Sequence, residues 1–230
     1  MKLKEVVPWG RSLEEYTLMF NLTDTDLQKK ILGCGDGPAS FNSEMTSLGY
    51  SVTSIDPIYN FSPAQIQQRV EESYQEISLQ LSLNKDNYLW TMFKDFEDIC
   101  QHRLNTMKLF IEDFPQGLTQ GRYQYQSLPN LSFPDKKFDL ALCSHFLFLY
   151  SNHLSLDFHI QSITELLRVA YEVRIFPLVT LGCQLSPYMQ DVLNHFNGAD
   201  FSLDLEIITV GYHFQHNGNQ MLKIRKKFGG

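Results

Sequence analysis

Cysteine is scarce in this 230-residue chain, and its four cysteines are spread over distant positions. No two of them form a Cys-x-x-Cys pair, so the sequence indicates neither a disulfide framework nor a zinc knuckle. The histidine pairs His153 with His159 and His213 with His216 are not accompanied by a cluster of further ligands. Solvated or capping histidines are the commoner interpretation, and we expect no metal site. The cysteines are Cys34, Cys100, Cys143 and Cys183.

Long apolar runs and an excess of basic residues are also missing. No stretch is long enough to cross a membrane, and residues 1–5 lack the apolar core of a signal peptide. We therefore expect a cytoplasmic protein with no membrane partner. The chain has 19 lysines and arginines against 26 aspartates and glutamates, a net charge of −7. This balance disfavours nucleic acid as a partner, because such binding depends on neutralising phosphates.

Two common active-site motifs are absent as well. The chain has no Gly-x-x-x-x-Gly-Lys loop, which cradles nucleoside triphosphates, and no Gly-x-Ser-x-Gly elbow, which presents a nucleophilic serine. The apolar fraction of 43% and the charged fraction of 20% are ordinary for a globular protein. A length of 230 residues suits one α/β domain spanning residues 1–230.

Glycine is concentrated in one short loop. Ile31 and Leu32 lead into Gly33, Gly35 and Gly37, with Cys34 and Asp36 between them and a helical pattern after Pro38. Glycine permits backbone angles that other residues avoid, and without a Cβ it lets a ligand lie against the main chain. The pattern predicts a strand, a glycine turn and a helix, which together form a nucleotide-type site. The helix is expected to start at Pro38, to end at Gly49 and to bury Phe41, Met45 and Leu48.

An acidic residue follows the next predicted strand. Residues 51–55 form a short β-rich run, and Asp56 comes about 20 residues after the glycines, followed by Pro57. A Rossmann-type site places a carboxylate at this distance for the ribose hydroxyls. The alternative is that Asp56 and Pro57 only begin a turn. The spacing favours the ligand-binding interpretation.

The glycine loop resembles the first motif of class I S-adenosylmethionine-dependent methyltransferases. The dinucleotide fingerprint Gly-x-Gly-x-x-Gly fits in neither register, because Pro38 or Ser40 would stand at its third glycine. The methyltransferase motif usually reads apolar, Asp or Glu, x, Gly, x, Gly, and Gly33 occupies the acidic place here. Residues 131–147 resemble the turn and fourth strand of the same superfamily, and residues 165–169 resemble the helix before its fifth strand.

The resemblance extends over most of the chain. Residues 8–11, Pro-Trp-Gly-Arg, and the run at 144–150 look like those of bacterial proteins usually labelled only as methyltransferases. The resemblance implies an α/β, Rossmann-like, doubly wound and mainly parallel sheet that ends in an antiparallel hairpin. It implies S-adenosylmethionine (SAM) as the cofactor. The implied cofactor-binding residues are Arg11, Gly33, Cys34, Gly35, Asp36, Gly37, Asp56, Pro57, Ser127, Leu128, Cys143 and Ser144.

Two of these assignments carry open alternatives. Arg11 precedes a helix that begins with a capping box of Ser12 and Glu15, and it could pair with the carboxylate of the cofactor or lie at the surface beside Trp9. Ser127 stands where the superfamily usually has an acid near adenine, so only its hydroxyl and nearby backbone could serve.

A helical insertion at about residues 62–115 follows the second strand. A parallel strand pair needs only one crossover helix, whereas this segment predicts two long ones. It is either packing scaffold or a lid that walls the substrate pocket. The apolar positions expected to pack are Ile66, Val70, Tyr74, Ile77, Leu81, Phe96, Ile99, Leu104, Met107, Phe110 and Phe114.

The remaining elements complete the expected sheet. A third strand is predicted within residues 122–126, a fourth begins at Phe138, and a fifth covers residues 173–176 with Pro177 at its end. A helix over about residues 160–170 separates the last two of these strands. Ser186 and Pro187 are expected to cap a further helix, and a final hairpin turns at residues 217–218.

His145 follows the fourth strand and is the candidate catalytic base. Open α/β sheets bind ligands at the carboxyl ends of their strands, and an imidazole with an unperturbed pKa of about 6.5 could accept a proton there near neutral pH. The alternative is that His145 only binds backbone or packs beside the cofactor.

The favoured function is methyl transfer to a small-molecule acceptor. The Asn/Asp-Pro-Pro-Tyr motif of base-amino methyltransferases is missing after the fourth strand. Two other functions stay open: a methyltransferase-like protein that binds the cofactor or a metabolite without catalysis, and a nicotinamide-dependent reductase. The sequence leaves the acceptor atom and the oligomeric state open.

Overall fold

The computed structural model describes residues 9–198 and 202–227, so Pro8 of the amino-terminal motif lies outside the described residues. Within these ranges the chain forms the α-helices α1 Leu13–Phe20, α2 Asp24–Leu27, α3 Phe41–Ser47, α4 Pro63–Leu83, α5 Phe96–Thr119, α6 Leu156–Val169 and α7 Met189–Phe196. The strands of the same ranges are β1 Ile31–Cys34, β2 Val52–Ile55, β3 Tyr123–Gln124, β4 Phe138–Ser144, β5 Ala170–Phe176, β6 Leu203–Thr209 and β7 Gln220–Lys226.

The described strands form one seven-stranded sheet in the order β3-β2-β1-β4-β5-β7-β6. β1 to β5 run parallel, and β7 lies antiparallel to both β5 and β6. β1 and β4 are neighbours in the sheet, and the strand order runs outward from them in opposite directions. β2 and β3 follow on the side of β1, and β5 follows on the side of β4. The predicted Rossmann-like parallel sheet with an antiparallel hairpin is confirmed.

Helices cover both faces of the sheet. The central strand β4 is buried at every position except Asp139, as expected for a parallel strand covered on both sides. One apolar cluster joins the sheet to α6 and α7, with Ile163 and Val192 among its members. Another joins the opposite face to α1 and α3, including Met19 and Phe41. This doubly wound arrangement leaves the carboxyl ends of β1, β2, β4 and β5 at one edge.

The insertion after β2 consists mainly of α4 and α5, which pack against each other. α4 begins with a capping box in which Ser62 and Gln65 exchange hydrogen bonds. The predicted burial of Leu104 on α5 is wrong: Leu104 is exposed, and Arg103 takes the buried position beside it. Helical spacing from Ile99 to Met107 passes through residue 103, and a salt bridge compensates the charge there.

The helix after the glycine loop begins later than predicted. α3 starts at Phe41 with Ser40 as its N-cap residue, so Pro38 lies in the loop and not in the first turn. A Cβ on Gly10 would lie 2.1 Å from the Pro38 carbonyl oxygen, so the amino-terminal segment packs directly on this loop. The predicted burial of Leu48 is also wrong, because Leu48 is the C-cap residue and is 60% exposed. Gly49 has a φ of +82°, as suits the residue after a helix.

Three boundaries differ from the sequence prediction. β3 contains only two residues. β5 starts at Ala170, whereas the sequence pattern predicts this residue at the end of the preceding helix. α7 has Tyr188 as its N-cap residue, while the Ser186 hydroxyl accepts a hydrogen bond from the Tyr188 amide just before the helix. The predicted turn at Asn217 exists, with a φ of +59°, but it lies inside a longer loop between β6 and β7.

A buried ion pair connects α1 to α5. Arg103 donates from Nη1 to Glu15 Oε2 and from Nη2 to Oε1, each at 2.5 Å, and the two side chains are only 1% and 3% exposed. Arg103 also donates to the Gly10 carbonyl at 3.2 Å, and Tyr212 donates from its hydroxyl to Glu15 Oε1 at 3.0 Å. Three distant parts of the chain therefore meet at one carboxylate.

We predict that Arg103→Met destabilises the protein by about 3–5 kcal/mol, because it leaves the Glu15 carboxylate buried without its partner. Urea unfolding followed by circular dichroism measures the change. Lys108→Met is the matched control on the same helix, since Lys108 is 74% exposed and lies 3.9 Å from Glu112. Exposed pairs contribute little, so equal losses in the two variants would contradict the importance of the buried pair.

Candidate functional site

A cavity of about 290 Å³ opens at the carboxyl ends of the parallel strands. This is the edge where open α/β sheets bind ligands. α4 and α5 contribute Ile77, Leu81, Ile99 and Arg103 to its wall, so the insertion does face the cavity. The sequence-predicted residues that line it are Arg11, Cys34, Gly35, Asp36, Gly37, Asp56, Pro57, Ser127, Leu128, Ser144 and His145.

Two of the predicted cofactor residues do not line the cavity. Gly33 lies within β1 beneath the Asp36 side chain, and Cys143 lies within β4, fully buried and in register with Cys34. The Asp36 side chain fills the space beside Gly33, and the Cys143 side chain is buried in the core against the sheet. They support the loop without facing the cavity.

The glycine loop turns through left-handed backbone angles. Gly35 has a φ of +68° and Gly37 a φ of +55°, which L side chains rarely adopt. The Gly35 amide donates to the Ile55 carbonyl at 3.0 Å, and the Gly37 amide donates to Asp56 Oδ2 at 2.9 Å. These bonds fasten the turn to the end of β2, so the loop and Asp56 form one unit.

Asp36 occupies the space that a side chain at position 33 would fill. A Cβ on Gly33 would lie 1.9 Å from Asp36 Oδ2. The Asp36 carboxylate accepts hydrogen bonds from Tyr16 Oη and Ser54 Oγ, both at 2.6 Å. Burial raises the pKa of Asp36 to about 7, and the neighbouring Asp56 adds to the increase. A carboxylate from three residues further along therefore lies beside Gly33, where the motif has its acid.

Asp56 lies at the end of β2 with both carboxylate oxygens engaged. Oδ2 accepts from Gly37 and Oδ1 accepts from the Ile58 amide at 2.9 Å. Burial raises the pKa of Asp56 to about 6, although the two backbone hydrogen bonds oppose the increase. Each oxygen keeps a further lone pair. Asp56 therefore does begin a turn, which is one of the two alternatives, and its carboxylate also lies at the cavity.

Arg11 lies at the cavity with an incomplete set of partners. It is 15% exposed, its Nη1 donates to the Trp9 carbonyl, and its Nε is buried without a hydrogen-bond partner. Glu15 Oε1 lies 4.0 Å from that Nε but is already held by Arg103. Burial, and then the charge of Arg103, lower the pKa of Arg11. The interpretation of Arg11 as a surface arginine is wrong, because its side chain is largely buried at the wall of the cavity.

His145 follows β4 in an unusual backbone conformation. Its φ is +49°, and its amide donates to the Phe176 carbonyl at 2.7 Å. The ring Nδ1 lies 3.0 Å from Ser144 Oγ. Burial, followed by the charges of Arg11 and Arg103, holds the pKa of His145 well below 6.5. The expectation that His145 titrates near neutral pH is therefore wrong: the imidazole is neutral there.

Sequence patterns do not reveal the polar partners that surround these groups. Arg103 and Tyr212 come from α5 and from the β6–β7 loop, and neither follows a strand of the parallel sheet. Tyr16 is buried in the core on α1, yet its hydroxyl reaches Asp36. The sequence holds one signal for such a partner: Arg103 is a charged residue at the helical spacing of the buried apolar residues Ile99 and Met107.

Residues 9–198 and 202–227 contain no group of three or more His, Cys, Asp or Glu side chains that could hold a metal ion. Nor do they contain a helix long and apolar enough to cross a membrane.

Solved structures with a similar arrangement include SAM-dependent methyltransferases. Magnesium protoporphyrin IX methyltransferase from Synechocystis, with bound SAM, is 12% identical and covers 89% of this chain and 73% of its own, with a TM-score of 0.44. A SAM-dependent methyltransferase from Methanosarcina mazei is 15% identical over 88% of this chain and 94% of its own, with a TM-score of 0.45. At these values the likeness assigns no cofactor or substrate to this chain.

The strand order, the antiparallel β7 and the glycine loop together define a Rossmann-like α/β fold. No protein-family model matches the chain. An uncharacterized protein of Methanocaldococcus jannaschii, MJ0045, is 35% identical over 227 residues, which cover 98% of this chain and 99% of that protein. The chain belongs to the same family as MJ0045.

We predict that Gly33→Ala destabilises the protein, because the new methyl group would displace the Asp36 carboxylate from Tyr16 and Ser54. Each hydrogen bond to a charged group is worth about 1.5–3 kcal/mol. Thermal unfolding measures the loss. Gly182→Ala is the control, since the nearest atom to its Cβ would be Thr180 Oγ1 at 3.6 Å. An unchanged Tm for Gly33→Ala would show that the Asp36 carboxylate keeps its hydrogen bonds when a methyl group occupies the space beside residue 33.

Proposed function

We propose that this protein is a SAM-dependent methyltransferase that acts on a small-molecule acceptor. The single observation that carries the proposal is the unit formed by the left-handed glycine loop and the Asp56 carboxylate, joined by the 2.9 Å bond from the Gly37 amide. This unit lies at the carboxyl edge of a parallel sheet and faces the cavity. A glycine turn against the ligand and an acceptor for ribose hydroxyls are what a nucleoside requires.

The residues present fit SAM along its length. Asp56 would accept from the ribose hydroxyls, while Ser127 and Leu128 would flank the adenine. Arg11 has a buried Nε without a partner, and a guanidinium suits the carboxylate of the methionine end. When bound, the cofactor supplies a methyl group that is already activated for transfer. The protein then has to align the acceptor and exclude water.

The cavity has an apolar part that favours a small acceptor with apolar surface. Its wall includes the rings of Tyr88, Phe176 and Phe214 and the side chain of Leu81. Phe214 stacks on Tyr88 with ring centroids 4.8 Å apart. The insertion at about residues 62–115 supplies part of this wall, which supports its role in enclosing the acceptor. The proposal includes the movement of α4 and α5 as a lid over the acceptor.

The second candidate is a protein that binds the cofactor or a metabolite without catalysis. The missing acids at Gly33 and Ser127 suggested it, but Asp36 fills the place beside Gly33. Incubation with SAM carrying a labelled methyl group and a panel of small metabolites separates the two candidates. Transfer of label supports the methyltransferase. Cofactor binding without transfer to any compound favours the binding protein.

We predict that Asp56→Ala weakens binding of S-adenosylhomocysteine by about tenfold or more, since a hydrogen bond to a charged group contributes about 1.5–3 kcal/mol. Calorimetry measures the affinity, with Asp204→Ala on exposed β6 as the control. The wild-type affinity should also fall as the pH drops below about 6, where Asp56 gains a proton. Equal affinity in both variants would remove Asp56 from the site, and tighter binding of NADH would overturn the cofactor assignment.

We predict that Arg11→Gln weakens S-adenosylhomocysteine but not 5′-methylthioadenosine, which lacks the amino-acid end of the molecule. Loss of a charge-assisted contact of about 1.5–3 kcal/mol corresponds to about tenfold or more. Arg11→Lys should restore only part of the affinity, because the forked geometry is lost. Equal weakening of both ligands would place Arg11 away from the methionine end.

A further inference from the structure

The Arg103 guanidinium lines the cavity with one donor unused. Its side chain is only 1% exposed. Nη1 donates to Glu15 and to the Gly10 carbonyl, and Nη2 donates to Glu15 and to the Tyr212 hydroxyl. The Nε–H is buried and has no hydrogen-bond partner among the described residues. Because an unpaired buried donor is costly, Arg103 is suited to an oxygen atom supplied by a ligand.

The charges in the wall of the cavity favour an anion. Arg11 and Arg103 both line the cavity, and they share one carboxylate. Glu15 Oε1 lies 2.5 Å from Arg103 Nη2 and 4.0 Å from Arg11 Nε. Glu15 itself is not among the described residues that line the cavity. A ligand therefore meets the two cations but not their common counter-ion, and a buried charge is unfavourable without an opposite charge.

The described carboxylates that do line the cavity are Asp36 and Asp56, and both belong to the glycine-loop side. Asp36 accepts hydrogen bonds from two side chains, and Asp56 accepts from two backbone amides. Within the described part of the chain, neither of them forms a salt bridge with Arg11 or Arg103. These two acids therefore do not neutralise the arginines.

The two arginines are attached to different parts of the wall. Arg11 is fastened to the glycine-loop side, because its carbonyl accepts from the Ser40 amide at 3.1 Å, just before α3. Arg103 belongs to α5 of the insertion. Arg11 is thus the arginine beside the proposed cofactor site, and Arg103 is the one on the side of the insertion.

The surroundings of Arg103 are apolar. Ile99 lies one helical turn before it and also lines the cavity. The Arg103 Cζ lies 5.6 Å from the centre of the Phe93 ring, and Phe93 contacts Phe214 with ring centroids 5.4 Å apart. Phe214 in turn stacks on Tyr88 in the apolar part of the cavity. A ligand that places an anionic group at Arg103 therefore has its remaining atoms beside apolar side chains.

We propose that the acceptor is a small organic acid with an apolar body, and that Arg103 binds its carboxylate while Arg11 binds the carboxylate of the cofactor. The inference rests on the proposed function, since it names the class of acceptor for the same cavity. The Nε–H of Arg103 donates a charge-assisted hydrogen bond to the acid. The salt bridge to Glu15 keeps the guanidinium in place, so Arg103 selects the acceptor by its charge.

Calorimetry with matched pairs of probes tests the acceptor class. The probes are 3-phenylpropionate, 4-phenylbutyrate and octanoate, each compared with its primary amide, which keeps the shape but not the charge. The protein is saturated with S-adenosylhomocysteine. At least one acid should bind about tenfold or more tightly than its amide, the ratio expected for one charge-assisted hydrogen bond. No preference for the acid in any pair would overturn the inference.

Arg103→Lys and Arg11→Gln should act on different ligands. Arg103→Lys keeps a cation beside Glu15 but lacks the Nε donor, so it should remove the preference for the acid and leave the affinity for S-adenosylhomocysteine nearly unchanged. Arg11→Gln should weaken S-adenosylhomocysteine and keep the preference. Lys108→Met on the exposed side of α5 is the matched control and should change neither. If Arg103→Lys weakens S-adenosylhomocysteine and keeps the preference, both arginines belong to the cofactor and the inference is wrong.

A variant without the buried ion pair covers the case in which Arg103→Lys does not fold. Glu15→Gln/Arg103→Gln removes both charges together, so neither is left buried without its partner. It should also lose the preference for acids, and a preference that persists would exclude Arg103 as its source. Failure of the wild type to bind S-adenosylhomocysteine would instead reject the proposed function. The same probes, titrated into the protein alone, would then still decide whether Arg103 binds an acid.

Discussion

The Glu15 carboxylate is the constraint on which the site depends. It caps the first turn of α1 by accepting from the Ser12 amide at 3.0 Å, and the same two oxygens hold Arg103 and Tyr212. One buried anion thereby fixes the amino-terminal segment, α5 and the β6–β7 loop relative to each other. Because a buried charge without its partner is strongly unfavourable, these three segments cannot separate independently, and each of them contributes residues to the wall of the cavity.

Much of the fold and one half of the site could be predicted from the sequence because their signals are local. The turn at Gly35 and Gly37 and the carboxylate at Asp56 follow directly from strands that are recognisable as short apolar runs. Chain order alone then brings these residues to one edge of a parallel sheet. The other half has no local signal, because Arg103 and Tyr212 are 88 and 197 residues away from their partner Glu15.

Asp36 and His145 show what local patterns cannot give. The motif locates an acid by its position in the strand, whereas in the structure the side chain of Asp36 folds back over Gly33 and supplies the carboxylate from the loop. The unperturbed pKa of histidine suggested a titration near neutrality. Burial and two arginines from distant segments lower the pKa of His145, and neither is visible in the residues around position 145.

The long separation between Glu15 and Tyr212 has a consequence for how the protein is made. Glu15 is synthesised 197 residues before Tyr212, so it can receive the Tyr212 hydroxyl only after that whole stretch has emerged. Contacts between residues so distant in sequence form late, because the loop between them must close first. A nascent chain that already holds the complete glycine loop and β1 to β5 therefore still has an open cavity, and the ligand site is finished last.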